Sequence, residues 1–270
     1  MTVGAADGGI HNTGPVEINP VTLDHPWRWI EAGWSDFRRA PGISLTIGIF
    51  FVAFSYLLAT WLYLSDRLFL LPPLIAGFFL VAPFLALAFY QVSRQLQQDR
   101  APDLAQALTV WRERPFNMLV MGLVLMLLLL AWMMAANLVF AIFYTGITPK
   151  FENMLQALFF SGDSPAFLVA GTLSGSLFAF AAFAISVAAV PMLLDRRVDV
   201  LTAILTSIAA VRANPRPLVL WAMLIVMFVG LGLFSFFIGL AIFMPLIGYA
   251  SWHAYQDLVA AHRTDGAPTT

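Results

Sequence analysis

Long runs without a charged side chain constrain the fold of this chain more than any other feature of its sequence. The run from Ile43 to Leu64 has 22 residues, enough for a helix to cross about 30 Å of hydrocarbon. The run from Pro217 to Gln256 lacks Asp, Glu, Lys and Arg. As one helix it would be about 60 Å long, twice a bilayer, so it must fold back.

Hydrophobic residues make up 60% of the chain and charged residues 11%, whereas soluble domains have about 45–50% and 25%. The sequence therefore predicts a polytopic membrane protein.

Six membrane spans are predicted from these runs. They cover residues 43–64, 68–92, 116–144, 166–194, 218–231 or slightly beyond, and 236–255. The turn between the last two is placed near Gly230–Ser235, where small residues interrupt the run. Between the third and fourth spans, the apolar stretch Phe151–Phe160 is too short to cross a bilayer and is either an interfacial or a partly re-entrant helix. Residues 1–24 and 258–270 are predicted to be tails on a membrane domain over residues 25–262.

A short cassette that ends in a proline precedes three of these spans. Counting back from Pro41, Pro115 and Pro215, residues of the same type recur at five offsets. The sets are Ile30, Leu104 and Ile204 at eleven residues, Gly33, Ala107 and Ser207 at eight, Trp34, Leu108 and Ile208 at seven, Phe37, Trp111 and Val211 at four, and Arg38, Arg112 and Arg212 at three. Offsets of 11, 8, 7 and 4 lie on one stripe of a helix. The pattern predicts an amphipathic interfacial helix in each cassette, with chance similarity of such lead-in helices as the alternative.

Each cassette and the two spans after it form one unit of a predicted internal repeat. The units cover residues 25–99, 100–197 and 198–257, and the returning spans contain Pro83, Pro191 and Pro245 in turn. Two spans preserve the orientation of the chain, so the units are parallel repeats and are able to surround a pseudo-threefold axis. The expected fold class is therefore an all-α membrane protein. Its six transmembrane helices form three parallel repeats of a cytoplasmic interfacial helix and a helical hairpin.

The distribution of basic residues predicts the orientation. Twelve of the fourteen lie on one side of the six predicted spans, and only Arg67 and Lys150 lie on the other. The twelve are Arg28, Arg38, Arg39, Arg94, Arg100, Arg112, Arg114, Arg196, Arg197, Arg212, Arg216 and Arg263. Because cytoplasmic loops carry the excess of Lys and Arg, both termini and all three cassettes are predicted to be cytoplasmic.

Residues for catalysis or cofactor binding are not evident, so no catalytic, cofactor or metal site is predicted. The chain has no cysteine, which excludes disulfides, thiolate metal sites and cysteine nucleophiles. Its four histidines, His11, His25, His253 and His262, do not form the pairs at bilayer depth that haem or copper would need. A net charge of −1 and the lack of a basic arm argue against a nucleic-acid partner.

The cassette arginines Arg38, Arg112 and Arg212 are the polar set that all three units repeat. They are interpreted either as contacts to anionic lipid headgroups or as the lining of a cytoplasmic vestibule. The simpler interpretation is that they only orient the spans. Among intramembrane groups, Asn137 is interpreted as helix packing or back-bonding, with ligand binding on a transport path as the alternative. The small residues from Gly171 to Gly175 are interpreted as a helix-packing face, within or between chains.

The sequence Gly33-Trp34-Ser35-Asp36-Phe37-Arg38-Arg39-Ala40-Pro41, preceded by Trp27-Arg28-Trp29 and followed by six apolar spans, resembles a bacterial family of predicted integral membrane proteins, filed as domain of unknown function 2189. The resemblance extends over roughly residues 20–262. It implies a bacterial inner membrane protein but no mechanism, because the family has no established activity. Some members are labelled cytochrome c oxidase subunit I, yet the metal-binding histidines that such a subunit needs do not occur here.

The favoured hypothesis is a non-enzymatic accessory or scaffold protein of the bacterial inner membrane, or one that acts through lipid contact at its cytoplasmic rim. Its expected partners are membrane lipids, with a membrane protein complex or a homo-oligomer left open. The alternative is a small transporter or channel with a path along the pseudo-threefold axis. A membrane enzyme acting on lipids is disfavoured because no catalytic constellation is found.

Overall fold

A computed structural model describes residues 17–143 and 164–259, whose regular structure consists of helices and one antiparallel bridge between Ile18 and Val259. The α-helices are α1 (His25–Arg39), α2 (Pro41–Leu64), α3 (Leu71–Leu85), α4 (Leu87–Gln97), α5 (Leu104–Thr109), α6 (Pro115–Phe143), α7 (Ser164–Ser186), α8 (Ala189–Asp195), α9 (Val200–Ala213), α10 (Pro215–Phe234) and α11 (Leu240–Leu258). Single 3₁₀ turns occur at Leu68–Leu70 and Val110–Glu113. The predicted interfacial or re-entrant stretch, Phe151–Phe160, lies outside the described residues.

Five segments of the described chain are long and apolar enough to cross a membrane, so the structure is that of an all-helical multi-pass membrane protein. They are Pro41–Leu64, Pro73–Gln97, Pro115–Phe143, Pro165–Asp195 and Pro215–Phe234. The predicted sixth span corresponds to α11, which is not among the five. Its second half contains Tyr249, Trp252 and His253, whose polar atoms lower its hydropathy, and most of its residues are buried within the protein. The turn before it lies at residues 235–239, a few residues later than predicted.

Helix α11 lies at the centre of the fold and packs against α1, α2, α4 and α10. Two glycines allow this close packing. A Cβ atom added to Gly48 of α2 would lie 2.2 Å from the carbonyl oxygen of Ala241. A Cβ atom on Gly33 of α1 would lie 2.8 Å from the carbonyl oxygen of Leu246. The small residues of the first cassette and first span are therefore required by the approach of α11.

The three cassettes end in the same backbone conformation. The residue before each proline has φ and ψ of −132° and 54° at Ala40, −142° and 65° at Arg114, and −127° and 53° at Asn214. A residue before proline is disfavoured in the α region, so the cassette helix stops there, and proline then suits the first position of the next helix. The second cassette differs from the others because its helix, α5, has only six residues before the 3₁₀ turn.

The returning helices are interrupted near their prolines in two of the three cases. Helix α3 ends two residues after Pro83, and α4 follows at once. Helix α8 begins two residues before Pro191, after a break at residues 187–188. In contrast, α11 continues through Pro245. Proline removes one backbone hydrogen bond from a helix and clashes with the preceding turn, which accounts for the two breaks.

The described N-terminal residues pack against the helical bundle. The sequence assigned residues 1–24 to a tail, but Ile18 bridges to Val259, and the amide of Asn19 donates to the carbonyl of Leu258 at 3.0 Å. Val21 is buried and its amide donates to Oδ1 of Asn214 at 2.8 Å. The two ends of the described chain therefore lie side by side, at the end of the bundle that carries α1 and α9. We call this end the arginine-rich end.

Candidate functional site

The cassette arginines lie on the outside of the arginine-rich end. Arg38, Arg112 and Arg212 are all exposed. The guanidinium of Arg112 lies 5.3 Å from the centre of the Trp111 ring, a cation–π distance. Within residues 17–143 and 164–259, Arg38 and Arg212 have neither a hydrogen bond nor an ion pair. The three charges are on separate helices and are available to a partner outside the protein.

Large apolar side chains are exposed on the same three helices. They are Trp27 and Trp34 on α1, Leu108 and Trp111 in the second cassette, and Leu201 and Leu205 on α9. Tryptophan is enriched where a protein meets the interface between water and hydrocarbon, and an amphipathic helix with arginine beside its apolar face suits the headgroup layer. Exposed arginine and exposed apolar surface therefore occur together in each cassette.

The predicted apolar stripe is divided in the structure: the residues eight before each proline are buried in all three cassettes, whereas Trp34 and Leu108, seven before, are exposed. The small residues Gly33, Ala107 and Ser207, which share one offset, are all buried. In the third cassette this residue has a further role, because the hydroxyl of Ser207 accepts from the amide of Ala188 at 3.1 Å. That amide lies at the break between α7 and α8. The third cassette thus satisfies a backbone group that the interrupted helix leaves free.

A buried polar cluster joins α1, α4 and α11 at the arginine-rich end. Asp36 is only 4% exposed. Its Oδ2 accepts from the hydroxyl of Ser93 and lies 2.8 Å from Nε2 of His253. Next to it, Oε1 of Gln97 accepts from Nε1 of Trp252 at 2.9 Å and from Nε2 of Gln256 at 2.7 Å. The cluster connects three helices that are distant in the chain.

The arrangement of Ser93, Asp36 and His253 differs from that of a serine nucleophile and its histidine base. In a serine nucleophile, histidine lies between serine and the carboxylate. Here the carboxylate of Asp36 lies between Ser93 and His253, and Ser93 is fully buried. Sequence reasoning missed the cluster, although one signal was present. Asp36 lies three residues after Gly33 and next to Phe37, on the buried stripe of the cassette.

A second group of charged residues joins α8 to α11 and α6. Oδ2 of Asp195 accepts from the hydroxyl of Tyr255 at 2.8 Å, and Nε of Arg196 donates to the same hydroxyl at 3.2 Å. Nη1 of Arg114 donates to the carbonyl of Leu193 at 3.1 Å. Burial, together with the nearby charges of Arg94 and Arg197, lowers the pKa of Arg114 from its usual range. The side chains of Asp195, Arg196 and Arg114 therefore form hydrogen bonds within the protein.

The polar groups considered for a membrane path or a metal site are dispersed in the described part of the chain. Asn137 is exposed on α6, and its Nδ2 donates to the carbonyl of Met133 at 2.7 Å, which is local back-bonding. Helices α4 and α11 meet through aromatic rings, with centroids 5.6 Å apart for Phe89 and Tyr249. Across residues 17–143 and 164–259, no three His, Asp or Glu side chains are grouped as a metal ion would need.

Residues 70–195 match the model of a family described as predicted integral membrane protein (DUF2189). The matched region contains the second cassette and the interrupted helices with Pro83 and Pro191. This match confirms the family to which the sequence was likened, over residues 70–195, and the motif from Gly33 to Pro41 lies outside the matched region. No curated protein and no solved structure matches the chain.

Proposed function

We propose that this integral membrane protein is a non-enzymatic, lipid-contacting scaffold of the bacterial inner membrane. The observation that carries the proposal is the outer surface of the arginine-rich end. There, each cassette presents an exposed arginine beside exposed Trp or Leu side chains. In this proposal the apolar side chains enter the headgroup boundary and the arginines contact anionic lipid headgroups.

Six crossings in three parallel repeats are part of the proposal. Pairing of Ile18 with Val259 supports an even number of crossings, because both ends of the described chain then lie on one face. Helix α11 supplies the sixth, since its 19 residues extend about 28 Å. The shared backbone conformation of Ala40, Arg114 and Asn214 supports a common origin of the three units.

The proposed orientation places the arginine-rich end in the cytoplasm, on the strength of the basic-residue distribution. The absence of cysteine from the chain makes this testable with single-cysteine variants. Arg67→Cys is expected to react with a membrane-impermeant maleimide on intact cells. Arg100→Cys and Arg263→Cys are expected to react only after permeabilisation. Labelling of Arg100→Cys in intact cells would contradict the proposed orientation. If only one of Arg100→Cys and Arg263→Cys were labelled in intact cells, the proposal of six crossings would be wrong.

Lipid contact is tested by replacing Arg38, Arg112 and Arg212 together with glutamine. The protein is reconstituted in nanodiscs that contain phosphatidylglycerol, and retained lipid is counted by native mass spectrometry. Each basic residue near an anionic surface contributes about 1 kcal/mol, so the triple variant should retain much less anionic lipid than the wild type. The control removes the same charge outside the cassette position, with Arg28, Arg67 and Arg100 changed to glutamine. Equal retention in the two triple variants would refute headgroup contact by the cassettes.

The scaffold proposal is favoured over a transporter because the returning helices meet through large aromatic side chains. Besides Phe89 and Tyr249, the rings of Tyr90 and Trp252 lie 6.3 Å apart between α4 and α11. The absence of catalysis is likewise proposed from the arrangement of Asp36, Ser93 and His253, in which the serine is buried and its hydroxyl donates to the carboxylate and not to the histidine.

A further inference from the structure

A cavity of about 540 Å³ lies among the spans, between α7 on one side and α10 on the other. Helices α3, α4 and α11 complete its walls. We call it the lateral cleft. Its lining is apolar except for the hydroxyl groups of Tyr90, Ser176, Ser186 and Ser251, and it contains no charged residue. The volume falls within the about 300–1,000 Å³ of typical ligand sites.

The lateral cleft is open on the outer surface of the bundle and closed at its base. At the rim, Phe180 of α7 and Met223 and Val226 of α10 are exposed. At the base, Tyr90 and Met244 are almost fully buried. Because α7 and α10 are candidate spans, the opening faces hydrocarbon and not water.

The cleft is about as long as the hydrocarbon of one leaflet. Its α10 wall extends from Val219 to Val229, and ten residues of helix rise about 15 Å, half of a core about 30 Å thick. It begins one turn after Pro215, so it starts on the side of the arginine-rich end. A chain that entered from that leaflet would lie along the whole cleft.

Only Tyr90 and three serines bring polar groups to the lining, and some of these groups are engaged within the protein. The hydroxyl of Ser186 donates to the carbonyl of Ala182, and the side chain of Ser251 is a neighbour of the Tyr90 hydroxyl. A ligand rich in polar groups would find few free partners here, whereas an apolar chain needs none. A hydrocarbon chain lying in the cleft would make van der Waals contacts with this apolar lining.

From the position, size and chemistry of the cleft, we infer that it holds one acyl chain of a phospholipid. The chain enters between α7 and α10 and lies against Pro83, Ala86 and Gly248. Its glycerol end is at the level of Tyr90 and Ser251, towards the arginine-rich end. The inference deepens the proposed lipid contact and adds a defined intramembrane site to the headgroup contacts of the cassettes.

The test uses a phosphatidylcholine that carries a diazirine on one acyl chain, with the protein reconstituted in nanodiscs. Phosphatidylcholine has no net charge, so the readout is independent of the cassette arginines. After irradiation, crosslinked peptides are identified by mass spectrometry. Crosslinks are expected to concentrate on the cleft walls, at Met223, Met244 and neighbouring residues. A parallel experiment with a photoreactive free fatty acid is expected to label these positions less, since a free acid lacks the anchoring glycerol end.

Ala222 lines the cleft and is the position at which to block it. Ala222→Trp is expected to reduce crosslinking of the cleft walls by about tenfold, because the indole would occupy much of a ligand-sized cavity. The matched control is Leu123→Trp, which places the same ring on the exposed face of α6 outside the cleft. A milder variant, Ala179→Leu, narrows the opposite wall and should give an intermediate loss if Ala222→Trp does not fold.

Two outcomes would overturn the inference. One is uniform crosslinking of all lipid-facing helices in the wild-type protein. The other is equal crosslinking in Ala222→Trp and Leu123→Trp. Failure of the proposed headgroup contact is distinguishable from both. It would appear as unchanged phosphatidylglycerol retention in the triple arginine variant, while labelling of the cleft persisted.

Discussion

Oδ2 of Asp36 lies 2.8 Å from Nε2 of His253, although the two residues are 217 positions apart in the chain. One belongs to the first cassette and the other to the last helix, and Ser93 of α4 contacts the same carboxylate oxygen. The contact therefore connects the beginning, the first returning helix and the end of the described chain. At the arginine-rich end, the buried carboxylate of Asp36 therefore connects α1 with α4 and α11.

Asp36→Ala is expected to destabilise the protein more than other changes on α1. The variant would leave the fully buried hydroxyl of Ser93 without its acceptor, and such a loss costs about 1–3 kcal/mol. Asp36→Asn retains an acceptor oxygen and should be milder. Thermal unfolding in detergent provides the measurement, with Glu31→Ala, an exposed position on the same helix, as the control. Equal melting temperatures for Asp36→Ala and Glu31→Ala would show that the cluster does not stabilise the fold.

Local sequence predicted the features of this fold that depend on nearby residues. Pro41, Pro115 and Pro215 indicated where the three cassettes end because proline restricts the residue before it. The small residues at the shared offset, such as Gly33 and Ser207, were recognised as a repeated position and are buried, although Trp34, on the same predicted stripe, is exposed. The α6 span was predicted within one residue at each end, since an uninterrupted apolar run defines its own limits.

Features that depend on helix register could not be predicted from the sequence. The spans are apolar around their whole circumference, so their periodicity does not indicate which face meets which neighbour. For this reason the central position of α11 and the partners of Asp36 were missed. Pro83 and Pro191 lie close to the interruptions of the returning helices, but the sequence does not indicate how far α7 lies from α10, the two helices that flank the lateral cleft.

Gly48→Ala is expected to separate α2 from α11. The new methyl group would lie 2.2 Å from the carbonyl oxygen of Ala241 and 2.8 Å from its Cα. These are backbone atoms, so relief requires a helix to move, and overpacking of this kind costs about 1–3 kcal/mol. The melting temperature should therefore fall.

Gly42→Ala, on the same helix, is the matched control for Gly48→Ala. No atom lies within 4 Å of a Cβ added at Gly42. Alanine is favoured over glycine in helices by up to about 1 kcal/mol, so this variant should be neutral or slightly stabilised. If both variants melted alike, close packing of α2 on α11 would not be the reason for glycine at position 48.

Asn214→Ala is expected to release the N-terminal segment of the described chain. Oδ1 of Asn214 accepts from the amide of Val21 at 2.8 Å, and its Nδ2 donates to the carbonyl of Asn19 at 3.0 Å. Without these bonds the backbone amides of Asn19 and Val21 should exchange with deuterium faster, which mass spectrometry measures. Asn117→Ala removes a side-chain bond to the carbonyl of Val198 instead, and should leave that exchange unchanged. Slow exchange in Asn214→Ala would mean that other contacts hold the segment.

Asp199→Ala is expected to weaken the start of α9 in a pH-dependent way. Oδ1 of Asp199 accepts from the amide of Thr202 at 2.9 Å, and Oδ2 accepts from the hydroxyl of Thr202 at 2.6 Å. The hydrogen bonds from the hydroxyl and then the amide lower the pKa of this carboxyl below its ordinary value. Loss of an N-cap costs about 0.5–2 kcal/mol, which should lower the melting temperature of the variant at pH 7.

The sign of the pH effect follows from this lowered pKa. A carboxyl whose pKa is lower in the folded than in the unfolded state stabilises fully above its unfolded value, about 3.9, and loses this contribution as the pH falls through the folded value. The difference in melting temperature between the wild type and Asp199→Ala should therefore be constant from pH 7 to about 5 and shrink below about 4. Thr202→Val retains the amide donor but removes the hydroxyl, so it should show a smaller difference with the same trend. A difference between wild type and Asp199→Ala that did not change with pH would mean that the charge of Asp199 does not stabilise α9.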